Sequence, residues 1–169
     1  RRQTDLKLSE KLYDSGKLID DANDRISREQ GNNIEEKRQQ IMNLEAEAAR
    51  YYWECVRQIL PPELEFTGRI TRGATDPFNA MLNFGYQTVL FPEVWKAISY
   101  AGLDFYAGYL HADRSGKPSL VLDMMEEFRQ QLVDRTLIGL ITKNVIKPNE
   151  IIAADSVEEG RVLSKDVIK

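Results

Sequence analysis

Apolar residues in the first sixty positions recur at spacings of three and four, the pattern of helices with one buried face. From about Leu6 to Ile26, Leu8, Leu12, Leu18 and Ile19 stand among many charges. This predicts a solvent-washed helix or helix pair, interrupted near Ser15-Gly16. Gly31-Asn32-Asn33 then makes a break, with an asparagine suited to cap the next helix. That helix is predicted from about Ile34 to Leu60, with Glu35 and Glu36 at its positive end and Pro61-Pro62 as its stop. Ile41, Leu44, Ala48, Tyr52, Cys55 and Ile59 form its core stripe, and Ala46, Ala48 and Ala49 keep its middle thin for close packing.

Beyond a polar loop over Phe66 to Thr75, Asp76-Pro77 reads as a helix start, an Asp cap followed by Pro at the first helical position. Phe78 to Leu90 is predicted as a helix, which Phe91-Pro92 divides from another over Glu93 to about Ala101, with Gly102 as C-terminal cap. Phe105 to Lys117 forms an aromatic, glycine-bearing connection that carries His111. A long helix from Pro118 or Ser119 to about Ile141 follows, terminated by Asn144 to Pro148. In the tail, Ile151-Ile152 and Val162-Leu163 flank Glu158-Glu159-Gly160, the pattern of a small hairpin. The chain is therefore expected to be all-α and multi-helical over residues 1–169 as one domain, with at most that hairpin as β structure.

Composition narrows the picture slightly. At 169 residues the chain is large enough to bury a core without staples. No apolar run approaches the roughly 20 residues of a membrane helix. Cys55 is the only cysteine, which excludes an intrachain disulfide and fits a reducing cytoplasm; its neighbours mark it as a small core residue. The start Arg-Arg-Gln-Thr-Asp has neither an initiator Met nor a signal-peptide core, as expected of a piece of a longer chain. A net charge of −4 argues against indiscriminate coating of nucleic acid, yet leaves room for a local basic groove.

The candidate chemistry gathers around the single histidine. His111, with Asp123 and Glu126 three apart on one helical face, supplies much of a divalent-metal site. Glu127 can share that face, and a solvated acidic patch is the bland reading of the same run. Glu45, beside Leu44 of the core stripe, is either a ligand or a surface carboxylate; Glu47 fits the second description, with an Arg or Lys neighbour. Lys117, Arg69, Arg72 and Arg114 fall in loops where they can meet phosphates. Tyr86, Tyr100, Phe105, Tyr106 and Tyr109 can stack on bases, but core packing is the expected role of most. The chain has no His-Glu-x-x-His motif, no paired Glu-x-x-His motifs and no phosphate-binding glycine loop.

Four segments, in order and spacing, resemble the CRISPR-associated adaptation integrase, the endonuclease-like subunit that inserts new spacers into CRISPR arrays. They are residues 44–53 (LEAEAARYYW), 76–86 (DPFNAMLNFGY), 101–111 (AGLDFYAGYLH) and 117–129 (KPSLVLDMMEEFR). The resemblance implies a helical catalytic domain with Glu45, His111 and Glu126 as ligands of Mn²⁺ or Mg²⁺. Asp123 would assist or orient the site, with a milder loss in Asp123→Ala, and Lys117 would lie close to the DNA backbone. It implies attack of a DNA 3′-hydroxyl on a phosphodiester, and the reverse reaction on branched DNA.

The implied partners are protospacer and CRISPR repeat DNA, a second copy of the chain and a small adaptation partner subunit, in a prokaryotic cytoplasm with no membrane. The family's N-terminal β-rich dimerisation domain is expected to lie outside these residues. Two rivals stand beside this reading: the related transposon integrase, or casposase, and a non-catalytic helical nucleic-acid-binding scaffold.

Overall fold

The computed structural model describes residues 2–28, 33–111 and 116–147. Among them the chain is helical and holds no β-strand, as the all-α expectation required. The expected hairpin over residues 151–163 lies outside the described residues. None of the described helices is long and apolar enough to cross a membrane. The chain divides into two compact units, Arg1–Ile59 and Leu60–Lys169.

The first unit consists of α1 (Arg2–Arg28) and α2 (Ile34–Ile59), packed along one another. The expected interruption at Ser15-Gly16 does not occur. A glycine inside a helix costs only about 1 kcal/mol relative to alanine, and that is too little to break a 27-residue helix with a packed face. Asn33 caps α2, its side-chain oxygen accepting the Glu36 N–H at 2.8 Å. Ala22 and Leu44 are buried, while Arg25 of α1 reaches Glu47 of α2 at 3.3 Å. Glu47 thus has the basic neighbour expected of it. In the last turns Val56 is buried and Ile59 is exposed, so the stripe ends one turn early. Cys55 is half-buried.

The second unit opens with a 3₁₀ turn, Pro62–Leu64, and continues through α3 (Pro77–Phe84) and α4 (Phe91–Tyr100). Then come α5 (Ser119–Phe128) and α6 (Arg135–Thr142). Asp76 caps α3 by accepting the Asn79 N–H at 2.8 Å, with Pro77 in the first turn as the sequence indicated. Gly102, at φ +68°, follows α4 in the left-handed conformation that glycine adopts without a Cβ penalty. Asn144, at φ +54°, turns the chain after α6.

Phe91-Pro92 does not break the chain as expected. Gly85–Leu90 is a π-helical segment that runs directly into α4, and Phe91 keeps helical dihedrals of −56° and −48°. Its N–H bonds to the Tyr86 carbonyl, five residues back, so Pro92 enters where the register has already changed and its missing N–H interrupts no α-helical ladder. The long helix predicted from Ser119 has its expected extent but contains a second π segment, Arg129–Asp134.

The two π segments pack together. A Cβ added at Gly85 would stand 2.6 Å from Cγ1 of Val133, so only glycine permits this approach. Tyr86 donates its hydroxyl proton to the buried Asp134 carboxylate beside it. Phe78, Leu82, Val121 and Met125 are fully enclosed in the same core, with Phe66 edge-on to Phe78 at 5.0 Å.

Gly85→Ala is expected to destabilise the protein by about 1–3 kcal/mol through overpacking, read as a lower urea midpoint. Val133→Ala in the same chain should recover part of that loss, because it removes the methyl that the new Cβ meets.

Candidate functional site

Residues 101–118 connect α4 to α5; those described, 101–111 and 116–118, contain no helix, so side chains hold this part of the loop. Trp95 of α4 stacks on Phe105 at 4.1 Å, and the Leu120 N–H donates to the Phe105 carbonyl at 3.0 Å. Ser119, fully buried at the start of α5, accepts the Gly108 N–H at 3.0 Å and donates to the Tyr106 carbonyl at 2.5 Å. A Cβ at Gly108 would lie 2.7 Å from the Ser119 backbone carbon, which makes glycine necessary there.

One turn further along α5, Asp123 completes the clamp. Its carboxylate accepts the backbone N–H groups of Tyr109 at 2.5 Å, Leu110 at 2.9 Å and His111 at 3.0 Å. It also pairs with His111 Nδ1 at 2.6 Å. Burial works against the charge on Asp123, but the hydrogen bonds from the His111 ring and from the Leu110, His111 and Tyr109 amides outweigh it. Its pKa therefore lies below the usual carboxylate value. In the neutral imidazole this pairing puts the proton on Nδ1 and leaves the lone pair on Nε2, the arrangement in which histidine ligates metals.

Glu126 lies three residues after Asp123 and is turned to a different partner. Its Oε1 is 2.5 Å from Arg129 Nη1. The Arg129 guanidinium lies 5.0 Å from the centre of the Tyr86 ring, and that of Arg69 lies 5.2 Å from it. Arg69 is in turn held by Asn79 Oδ1 at 3.0 Å and Asn83 Oδ1 at 2.7 Å. Burial lowers the Arg69 pKa. Burial, then the hydrogen bond and charge of Asp134, raise that of Tyr86, which stays a neutral donor.

The structure thus brings His111 and Asp123 into direct contact and sets Glu126 on the same helix. Glu45 is exposed on α2 of the first unit. Within the second unit, the described residues form no group of three His, Cys, Asp or Glu side chains arranged to hold a metal ion. The donor types fit a hard divalent cation: carboxylate oxygens with one oriented imidazole. Lys117 is half-buried just ahead of α5, Arg72 and Glu127 are exposed, and Arg114 lies outside the described residues.

Of the aromatics, Tyr86 is core and Phe105 is stacked on Trp95. Tyr100, Tyr106 and Tyr109 are exposed, against the expectation that most would pack inside. Their positions on or beside an open loop leave no core for them to join. Sequence reasoning missed Ser119, Gly108, Arg129 and Asp134. Only the Ser119–Asp123 spacing of four, a shared helix face ahead of the core stripe, offered a signal.

Asp123→Asn replaces an acceptor with a partial donor facing three N–H groups. It is expected to cost on the order of 2–3 kcal/mol of stability. Because the folded-state pKa is depressed, this contribution is present above the ordinary carboxylate range and is lost as the pH falls through the folded value. The stability gap between wild type and Asp123→Asn in urea should therefore be widest near neutrality and close towards acid pH.

Over residues 1–169 the sequence matches the family described as CRISPR associated protein Cas1. A CRISPR-associated endonuclease Cas1 from Archaeoglobus fulgidus is 38% identical over 156 residues, which is 89% of this chain and 45% of the relative. Among solved structures, a casposase bound to integration product matches with a TM-score of 0.62 and 30% identity, over 85% of this chain and 43% of that one. A partial Cas6-RT-Cas1–Cas2 complex matches with a TM-score of 0.68 and 30% identity, over 78% of this chain and 40% of that one. The chain spans less than half the length of each of these proteins. A match along its whole sequence, joined to a shared helical fold, makes this chain a member of the Cas1 family.

Proposed function

We propose that this chain provides the catalytic site of a CRISPR adaptation integrase, a divalent-metal-dependent DNA endonuclease and strand-transfer enzyme. The observation that carries the reading is His111, held through Nδ1 by Asp123 at 2.6 Å so that Nε2 is the available donor, in a chain of this family. The endonuclease name of the Archaeoglobus fulgidus relative supports it.

Glu45, His111 and Glu126 are the proposed ligands, and Mn²⁺ or Mg²⁺ the proposed ion. When bound, such a cation polarises the scissile phosphate and favours deprotonation of the attacking hydroxyl. The chain's own residues do the rest. Asp123 fixes the ring of His111 and the three amides around it, so the imidazole needs no reorganisation on ligand binding. Lys117, next to α5, is the proposed phosphate contact, positioning DNA without reading its sequence. In the proposed reaction a DNA 3′-oxygen bonds to a repeat phosphorus as that phosphorus releases its former 3′-oxygen. The attacking hydroxyl loses its proton and the leaving oxygen takes one up. The proposed partners are protospacer, repeat or branched DNA, a second copy of the chain and a small adaptation subunit. The Cas6-RT-Cas1–Cas2 assembly supports the last of these.

The casposase match at 30% identity favours a second reading, integration of transposon ends by the same chemistry. Offering the full-length protein a leader-flanked CRISPR repeat and transposon-end DNA in parallel separates the two.

Glu45→Ala, His111→Ala and Glu126→Ala are each expected to abolish Mn²⁺-dependent cleavage of branched DNA while leaving helicity unchanged. Full activity in His111→Ala would overturn the assignment. For Lys117→Ala, DNA binding should weaken across all sequences and the log–log salt slope should shrink by about 1.

A further inference from the structure

Helical ion pairs at a spacing of three are usually solvated and weak. Glu35–Arg38, Glu54–Arg57 and Glu93–Lys96 fit that description, each having at least one side chain 48% or more exposed. The Glu126–Arg129 pair differs, with side chains 32% and 28% exposed.

The ring of Tyr86 lies against the arginine of this pair, 5.0 Å from its guanidinium. Arg129 is the first residue of the second π segment and Asp134 the last. Tyr86 touches both: its ring lies under the Arg129 guanidinium, and its hydroxyl is bound to the Asp134 carboxylate. The π register is what allows one side chain to meet both ends of the segment, across the glycine contact at Val133. Arg69, locked by two asparagines, approaches the same ring. A planar guanidinium resting on a ring loses much of its rotational freedom, and so does a carboxylate bound to it.

We infer that Tyr86 is a positioning residue for the metal site, acting through Arg129 to hold the Glu126 carboxylate in one orientation. The inference rests on Glu126 being a ligand. Partners that hydrogen-bond a ligating carboxylate tune affinity by roughly 10–100-fold, and Tyr86 controls such a partner without adding or removing charge.

The test is Mn²⁺ binding to the full-length protein by calorimetry. Tyr86→Leu keeps every charge and removes the ring, and it should weaken Mn²⁺ binding by about tenfold or more. Tyr86→Phe keeps the ring, and its affinity should stay within about twofold of wild type even though its thermal midpoint falls. A purely structural role predicts lowered midpoints in both and unchanged affinity in both, and that result overturns the proposal. Arg129→Lys, a mild change that should fold, covers the case in which Tyr86→Leu does not. It keeps the charge but not the plane, so about tenfold weaker binding is expected and wild-type affinity refutes the idea. Glu126→Gln separates the two levels. If it binds Mn²⁺ like wild type, the ligand assignment itself fails. If it loses binding while Tyr86→Leu and Arg129→Lys retain it, the positioning role alone fails.

Discussion

One carboxylate fixes the geometry on which the rest of the second unit's polar surface depends. Asp123 gathers three consecutive backbone amides and an imidazole, four donors converging on two oxygens. Charged acceptors make shorter and stronger hydrogen bonds than neutral ones. The described part of the loop, which lies outside any helix, therefore takes its position from α5. The histidine inherits that position, because its ring and its amide are held by the same side chain.

α5 in turn is placed by its opposite face. Leu120, Val121 and Met125 are buried, so the orientation of the helix is set by packing. Ser119, Asp123 and Glu126 follow from it: the first two clamp the loop, and the third faces the arginine at the entry of the π segment. Apolar contacts on one side of the helix thus become fixed donor and acceptor positions on the other. Few of these polar groups have freedom left to lose when a ligand arrives, which is the physical content of preorganisation.

The helical class, the Asn33 and Asp76 caps and the glycine after α4 were legible in the sequence because each is a local rule: periodicity, side-chain capping, left-handed backbone. The π segments were not, since nothing in GYQTVL or RQQLVD differs in period from an α-helix; their register is set by Gly85 meeting Val133 across the core. Gly16 misled in the other direction, because a one-residue propensity cannot outweigh a packed helix. In the site, residue types and family resemblance singled out His111 and the carboxylates. The roles of Asp123 as loop anchor and of Arg129 as partner of Glu126 needed three dimensions. Spacing shows which side chains share a face and says nothing about which amides come to meet them.

A π turn holds one residue more than the α turn it replaces. Each such segment is therefore an insertion that the fold has absorbed without a loop. Deleting one residue from Arg129–Asp134 would restore an α turn and leave the helix beyond it close to its present phase, since a turn of either kind completes one circle about the axis. The buried Ile141 would stay in the core, and only contacts made within the segment, such as that of Asp134 with the Tyr86 hydroxyl, would shift. Through such segments the length of a helix can change by one residue while its packed face is kept. Tolerance of single insertions and deletions in the second unit thereby extends from its connections to the two helical segments Gly85–Leu90 and Arg129–Asp134.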